Sequence, residues 1–182
     1  LYLSSQPTMS AAVKRPVAKG KAASGPQTVN KRLQTELMNM MKNPIDSVSA
    51  FPDGDNLFKW IASIKGVDGT IYEGLEFKLS LEFGPTYPLA APVCRFDTPC
   101  FHPNVDQSGN ICLDILKDNW SPVQTVSSVL LSIQALLGDP NNSSPYNTHA
   151  ADLWDRPDEF KKALMARYQE VTTATPTPSS SK

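Results

Sequence analysis

Apolar residues recur at three- and four-residue intervals from residue 29 to residue 41, and Asn43-Pro44 ends this pattern. The spacing matches one face of an α-helix, and proline disfavours its continuation. Thr28 is a candidate N-cap, because a threonine hydroxyl can accept a bond from the first free backbone N–H groups. The sequence therefore predicts an amphipathic helix. Its buried face comprises Val29, Leu33, Leu37, Met40 and Met41, and its outer face carries Lys31, Arg32 and Thr35.

Alternation of apolar and polar residues replaces the helical period after residue 47. Four such runs cover residues 48–51, 59–65, 75–83 and 93–96. Period-two alternation is typical of strands with one buried face. Residues 52–55 (PDGD) and 66–69 (GVDG) have the composition of tight turns. The pattern predicts an antiparallel meander of four strands.

Helical spacing returns in the last third of the chain. A buried face from Val126 to Leu137 ends at Gly138. Residues 121–124 (SPVQ) resemble a capping box with proline in the first turn, and Thr125 is an equally good cap. Two further helices are predicted at 148–154 and 158–170. The order of helix, sheet and helices predicts a single α+β domain.

Composition and charge narrow the classes of function. The chain has 182 residues with 17 Lys+Arg and 18 Asp+Glu, and all 18 acids lie in residues 30–170 against 12 bases. Such an acidic body disfavours nucleic acid as the main partner, because phosphate binding needs clustered cations. No apolar stretch approaches the ~20 residues that cross a bilayer. Three cysteines without a signal segment predict a reducing compartment rather than a disulfide-stapled domain.

The two ends of the chain lack apolar periodicity. Residues 1–27 are rich in Ser, Ala, Pro and Lys, and residues 171–182 in Thr, Ser and Pro, which predicts disorder in both. Residues 1–8 precede the first methionine, Met9, and are interpreted as vector-derived or upstream sequence. The basic extension therefore precedes a folded core that we place at residues 28–170.

A long segment without clear period, residues 98–121, contains the candidate chemistry, because loops of this length in compact domains are usually functional. Ile111, Leu113 and Ile115 alternate with Cys112 and Asp114. If this run is extended, Cys112 and Asp114 share the face opposite the three apolar anchors and point to solvent. The pattern alone leaves a reactive and a structural Cys112 open.

The other candidate groups also have two interpretations. Cys94 shares a strand face with Phe96 and is predicted to be buried, and its spacing from the other thiols argues against zinc. His102 is either a ring bonded to its own loop or a base for the thiol. Asn104 either donates to an oxyanion or forms an Asx turn.

One residue departs from the apolar face of the helix at 126–137. Leu131 lies about 90° outside the buried arc, on the side of Ser127 and Ala135. An exposed leucine among small residues suggests a docking surface, although isolated exposed leucines are common.

Together these residues form recognisable motifs. They are FHPNV at 101–105, GNICLDIL at 109–116, WSP at 120–122 and LLSIQ at 130–134, with KRL at 31–33, YP at 87–88 and DPN at 139–141. The combination resembles the catalytic core of the ubiquitin-conjugating enzymes over residues 28–170. The resemblance implies the ubiquitin-conjugating fold, with an N-terminal helix, a four-stranded antiparallel meander and three C-terminal helices.

The resemblance also implies a role for each candidate residue. Cys112 would accept the terminal glycine of ubiquitin as a thioester, and a substrate lysine would attack it. Asn104 would support the active-site loop and the oxyanion, and His102 would be structural. Ser144 stands where several members carry an acid that orients the incoming lysine. The remaining implied contacts are Asp114 and Asn141 along the groove for the ubiquitin tail, Leu131 and Ala135 for donor ubiquitin, and Lys31, Arg32, Leu89, Ser121 and Pro122 for the activating enzyme and ligase.

Within the family, residues 45, 49–52, 55–60 and 136–138 and the basic extension resemble the enzymes that serve the anaphase-promoting complex in mitosis. The expected partners are ubiquitin, the activating enzyme, a RING-type ligase and protein substrates. We expect a monomer in cytoplasm and nucleus, without metal, cofactor, nucleic acid or membrane. An inactive ubiquitin-binding scaffold and a thiol hydrolase are the alternatives.

Overall fold

The computed structural model describes residues 26–169. An α-helix precedes a four-stranded antiparallel sheet with the strands in chain order, and three α-helices follow. This confirms the predicted α+β fold. The elements are α1 (Pro26–Lys42), β1 (Val48–Asp53), β2 (Asn56–Lys65), β3 (Glu76–Glu82), β4 (Val93–Phe96), a 3-10 turn (Asp114–Leu116), α2 (Val126–Gly138), α3 (Thr148–Leu153) and α4 (Pro157–Gln169).

The sheet buries one face because its strands alternate as the sequence predicted. Ala62 pairs with Leu79, and Leu81 pairs with Cys94 on the next strand, and all four are buried. Cross-strand apolar pairs of this kind stabilise antiparallel sheets. Cys94 therefore lies in the core, as predicted, and its burial raises the pKa of its thiol to about 12.

Helix α1 packs its apolar stripe on the sheet but differs from the prediction at both ends. It begins at Pro26, so Thr28 lies inside the first turn rather than at the N-cap. Val29 and Leu33 are buried, whereas Met41 is 65% exposed and its predicted burial is wrong. Met41 lies about 100° around the helix from Met40, beyond the edge of the buried stripe.

A buried carboxylate joins α1 to the rest of the fold. Glu36 is 4% exposed and accepts hydrogen bonds from Arg32, from the Tyr87 hydroxyl and from the backbone N–H of Val126. Val126 is the first residue of α2, so the carboxylate also lies at the positive end of that helix. Arg32, predicted on the outer face, is half-buried and also donates to the Gln124 carbonyl at 2.7 Å.

Local side-chain caps set the starts of the later helices. Thr125 caps α2 and forms a reciprocal capping box with Ser128, so the alternative cap at residues 121–124 is wrong. Those residues form a separate turn in which the Gln124 N–H donates to the Ser121 carbonyl. Asn147 caps α3 by accepting from the Ala150 N–H at 3.0 Å.

Several predictions fall on residues that the structure does not describe. These are the disorder assigned to 1–27, apart from its last two residues in α1, the tail at 171–182, and the last residue of the predicted 158–170 helix. Between residues 26 and 169, every helix is too short or too polar to cross a bilayer.

We expect Glu36→Ala to lower the free energy of unfolding by about 3 kcal/mol, because it leaves the buried Tyr87 hydroxyl and Val126 N–H without their acceptor. Glu159→Ala is the matched control, since Glu159 also pairs with an arginine three residues before it but is exposed. It should change stability by less than about 0.5 kcal/mol. Urea unfolding measures both, and equal effects would contradict a structural role for the buried carboxylate.

Candidate active site

A tight turn at residues 102–105 lies at the centre of the candidate site. His102 pairs with Val105 across the turn, and Val105 pairs with Ile111 on the returning chain. The Cys112 N–H then donates to the Asn104 carbonyl at 2.8 Å. The chain reverses at Gly109, whose φ is 84° and whose Cβ, if present, would lie 2.1 Å from the Phe96 carbonyl oxygen. The reversal therefore requires glycine, and it places the thiol beside the turn.

His102 is buried at the base of this turn, and both of its ring nitrogens have partners. Nδ1 accepts from the Asn104 N–H at 2.9 Å, so Nε2 carries the proton and donates to the Leu136 carbonyl at 2.8 Å. Burial lowers the pKa of the ring to about 4. The imidazole is therefore neutral and bonded within the fold, which removes it as a base for the thiol.

Asn104 joins the turn to a distant segment of the chain. Its buried side chain donates to the Asn141 carbonyl at 2.7 Å and accepts from the Asn141 N–H at 2.8 Å. The Asx-turn alternative for Asn104 is wrong, because its side-chain oxygen bonds to residue 141 rather than to its own loop. This reciprocal pair fixes the backbone of Asn141, whose exposed side chain accepts from Ser143.

The segment that follows Asn141 is attached to the same turn. The Pro103 carbonyl accepts from the N–H groups of Tyr146 and Asn147 at 2.8 and 2.9 Å. Ser144 lies between these attachment points and is exposed. The turn at 102–105 therefore positions the segment 141–147 next to the chain that carries the thiol.

The three cysteines of the chain differ in access to solvent. Cys94 and Cys100 are buried, whereas Cys112 is partly exposed. Burial raises the pKa of the Cys94 and Cys100 thiols well above the usual range. Since the thiolate is the nucleophilic form, Cys112 is the candidate nucleophile. The solvent-facing position predicted for Cys112 is confirmed.

The extended conformation of residues 111–115 ends sooner than the alternation indicated. Leu113 is still extended, but the 3-10 turn begins at Asp114. Asp114 therefore does not share a strand face with Cys112, and this part of the prediction is wrong. Its exposed carboxylate accepts from the Asn119 side chain at 2.8 Å and from the Ile115 N–H at 2.7 Å, and these bonds lower its pKa. Those bonds stabilise the turn, because they satisfy its free donors.

The structure adds two side chains that the sequence did not single out. The Lys117 ammonium donates to the Cys112 sulfur at 3.4 Å and to the Tyr146 hydroxyl at 2.7 Å. The bond to Tyr146 is the main cause of the raised pKa of Lys117. Lys117 lies in a segment without period, and Tyr146 is 29 residues away along the chain, so only the fold shows this contact.

Two exposed surfaces carry the remaining predicted residues. Leu131, 38% exposed, and Ala135 lie one turn apart on the outer side of α2. The second surface lies where α1 meets two loops. There Arg32 bonds to Gln124, and the Trp120 indole donates to the Pro88 carbonyl at 2.8 Å. These contacts bring together the segments that carry Lys31, Arg32, Leu89, Ser121 and Pro122.

Comparison with known proteins decides the family. A family model described as ubiquitin-conjugating enzyme matches residues 32–168. A curated relative from Schizosaccharomyces pombe, named ubiquitin-conjugating enzyme E2-20 kDa, is 53% identical over 154 residues, which cover 84% of this chain and 87% of the relative. The chain belongs to the ubiquitin-conjugating enzyme family. A ubiquitin-conjugating enzyme is a transferase that carries ubiquitin as a thioester, and membership implies ubiquitin, an activating enzyme and a ligase as partners.

The described residues of this ubiquitin-conjugating enzyme contain no group of three or more His, Cys, Asp or Glu side chains placed to hold a metal ion. Cys94 and Cys100 instead belong to the hydrophobic core.

The neutral His102 should make stability depend on pH. Its pKa is about 4 in the folded chain against 6.5 for a free side chain, so between these values the unfolded chain binds more protons. The contribution of the neutral His102 ring to the free energy of unfolding is complete above pH 6.5. It is lost as pH falls towards 4, by about 3 kcal/mol in total. Urea unfolding from pH 7 to pH 4 should show the loss, and His102→Gln should lack it.

His149→Gln is the control for this experiment. His149 is exposed and packs on Phe101, and its replacement leaves His102 intact. The variant should keep the loss of stability between pH 6.5 and pH 4. A loss that disappears in His149→Gln but persists in His102→Gln would contradict the assignment of the buried imidazole.

Proposed function

We propose that Cys112 accepts ubiquitin from the activating enzyme and transfers it to a substrate lysine with a RING-type ligase. The observation that carries this proposal is the difference in access among the three thiols: only that of Cys112 reaches solvent. In the charging step the Cys112 thiolate attacks the thioester on the activating enzyme, a new C–S bond forms, and the thiolate of the activating enzyme leaves. The exchange of one thioester for another is nearly isoenergetic, so charging chiefly needs an accessible thiol and an oriented acyl group.

Asn104 is the proposed support for the later transfer to lysine, in which the oxyanion must be stabilised. Its side-chain amide has two hydrogens, and the Asn141 carbonyl accepts one of them at 2.7 Å. The second hydrogen remains for an oxyanion, while the bonds to Asn141 hold the amide in one orientation. His102 holds the backbone of Asn104 in place, because its Nδ1 accepts a hydrogen bond from the Asn104 N–H. Asp114 and Asn141 are proposed to line the groove for the ubiquitin tail.

The incoming lysine must lose a proton before it attacks. Ser144 is exposed on the segment 141–147 and offers a hydroxyl that can orient an amine but carries no charge. We therefore assign the proton loss to desolvation of the amine between the two proteins, since removal from water lowers an amine pKa. The donor ubiquitin is proposed to pack on Leu131 and Ala135 of α2.

We further propose that the enzyme works with the anaphase-promoting complex in mitotic cyclin degradation, in cytoplasm and nucleus. This proposal is supported by the sequence resemblance at residues 45, 49–52, 55–60 and 136–138. The proposed surface for ligase and activating enzyme comprises Lys31, Arg32, Leu89, Ser121 and Pro122. Leu89 is 58% exposed at this surface, which is the placement expected of a docking residue.

An inactive scaffold and a thiol hydrolase fit the site less well. A scaffold needs no accessible thiol, and Cys112 is partly exposed. A thiol hydrolase needs an imidazole beside the sulfur to activate it. His102 has both nitrogens bonded elsewhere, and His149 packs its ring on Phe101.

The direct test incubates the protein with activating enzyme, ubiquitin and ATP, followed by a non-reducing gel. We expect a band one ubiquitin heavier that disappears on addition of a thiol reagent. Cys112→Ser should replace it with a thiol-resistant ester, and Cys112→Ala should abolish it, because alanine has no nucleophile. Cys94→Ala and Cys100→Ala are the controls and should retain the band, since both residues are buried.

Absence of the band from correctly folded wild-type protein would overturn the proposal. The band alone does not identify the ligase. The charged protein is therefore mixed with the anaphase-promoting complex and a cyclin fragment, and with a RING ligase of another class. Faster discharge with the first mixture supports the mitotic assignment, and equal or slower discharge overturns it.

A further inference from the structure

Lys117 is placed where a cation would act on the reacting sulfur. Its ammonium lies 3.4 Å from the Cys112 sulfur and 2.7 Å from the Tyr146 hydroxyl. The same ammonium is 4.9 Å from the centroid of the Tyr146 ring, which adds a cation–π contact. A lysine side chain at a protein surface ordinarily samples many rotamers. Here two partners select one position beside the thiol.

Lys117 and Tyr146 are each held by a backbone hydrogen bond. The Lys117 N–H donates to the Asp114 carbonyl at 2.9 Å, which ends the 3-10 turn. The Tyr146 N–H donates to the Pro103 carbonyl at 2.8 Å. The contact between Lys117 and Tyr146 therefore connects two segments that the turn at 102–105 has already brought together.

We propose that Lys117 is a catalytic residue whose ammonium stabilises the Cys112 sulfur as ubiquitin leaves it, and that Tyr146 is its positioning residue. The inference rests on the proposed role of Cys112 and adds a second group to that site. The amide of Asn104 is bonded to Asn141, whereas the ammonium of Lys117 lies beside the sulfur.

In the transfer step ubiquitin moves from the Cys112 sulfur to the amine of the acceptor. The free amine of the acceptor attacks the thioester carbonyl carbon, and a C–N bond forms. The C–S bond then breaks, its electron pair stays on the Cys112 sulfur, and the extra proton of the amine goes to solvent. The Lys117 ammonium donates a hydrogen bond to the developing negative charge on sulfur and keeps its own proton. Hydrogen bonds from an ionised donor to a developing charge are stronger than neutral ones, so the leaving step gains more than the ground state.

The contact with Tyr146 favours a cation over a nucleophile at this position. A lysine amine is protonated at neutral pH, and the bond to the phenol oxygen raises the pKa of Lys117 further. A protonated amine has no lone pair for attack on the thioester. Tyr146 therefore has two effects: it directs the ammonium to the sulfur, and it restrains transfer of ubiquitin to Lys117 itself.

The test measures discharge of a preformed thioester after the activating enzyme has been stopped, so differences in charging rate do not enter. Lys117→Gln removes the charge, Lys117→Arg keeps it, and Tyr146→Phe removes only the hydroxyl. Lys161→Gln is the matched control, since Lys161 is exposed on α4 and its loss changes net charge equally. Circular dichroism melting checks that all four variants fold as the wild type does.

With saturating free lysine, we expect Lys117→Gln to discharge about tenfold more slowly. Lys117→Arg should stay within about threefold of wild type, Tyr146→Phe should be about threefold slower, and Lys161→Gln should be unchanged. A second assay replaces free lysine by a small thiol acceptor. It distinguishes an effect on the leaving sulfur from an effect on the attacking amine. Because the leaving sulfur is the same, Lys117→Gln should slow discharge to lysine and to the thiol by the same factor.

Three results would overturn the proposal. The first is a wild-type discharge rate in Lys117→Gln. The second is a slowing seen with lysine but absent with the thiol acceptor, which would mean that Lys117 acts on the incoming amine. The third is ubiquitin attached to Lys117 through a bond that resists thiol reagent and is missing in Lys117→Arg. Failure of wild type to form a thioester would instead overturn the role of Cys112, and this inference with it.

Discussion

The buried turn at residues 102–105 is the constraint on which the rest of the site depends. Its polar groups are bonded to three different parts of the chain: His102 to Leu136 of α2, Asn104 and Pro103 to the segment 141–147, and the Asn104 carbonyl to Cys112. Buried polar groups are costly unless they are paired. Each of these bonds satisfies a polar group of this turn, and together they place the thiol, Tyr146 and Ser144 around it.

Helix α2 connects this turn to the buried carboxylate of Glu36. At its N-terminus, Val126 donates to the buried carboxylate of Glu36, which also holds Arg32 and Tyr87 beside the proposed ligase surface. Near its C-terminus, the Leu136 carbonyl accepts from His102. The apolar side of the helix lies in the core, which leaves Leu131 and Ala135 outward. One rigid element thus sets the relative positions of the thiol and the two proposed docking surfaces.

The periodic parts of the fold could be predicted from the sequence, because burial of one face imposes its spacing directly. The four strands, α1 and α2 follow from apolar positions, and the exposure of Cys112 followed from its anchors Ile111 and Leu113. Glu36 was missed because nothing local marks a carboxylate for burial. Asn104 with Asn141, and Lys117 with Tyr146, are contacts across 37 and 29 residues. Such pairs depend on tertiary packing, and no period within either segment encodes them.

The central claim is that the bonds of this turn, rather than the thiol alone, make the site competent for transfer. Its most direct test is single-turnover discharge of the charged Asn104→Ala variant to free lysine. The account predicts near-normal charging and transfer at least about tenfold slower than wild type, because the segment 141–147 and the oxyanion both lose their support. Equal transfer rates in the folded variant and the wild type would contradict it.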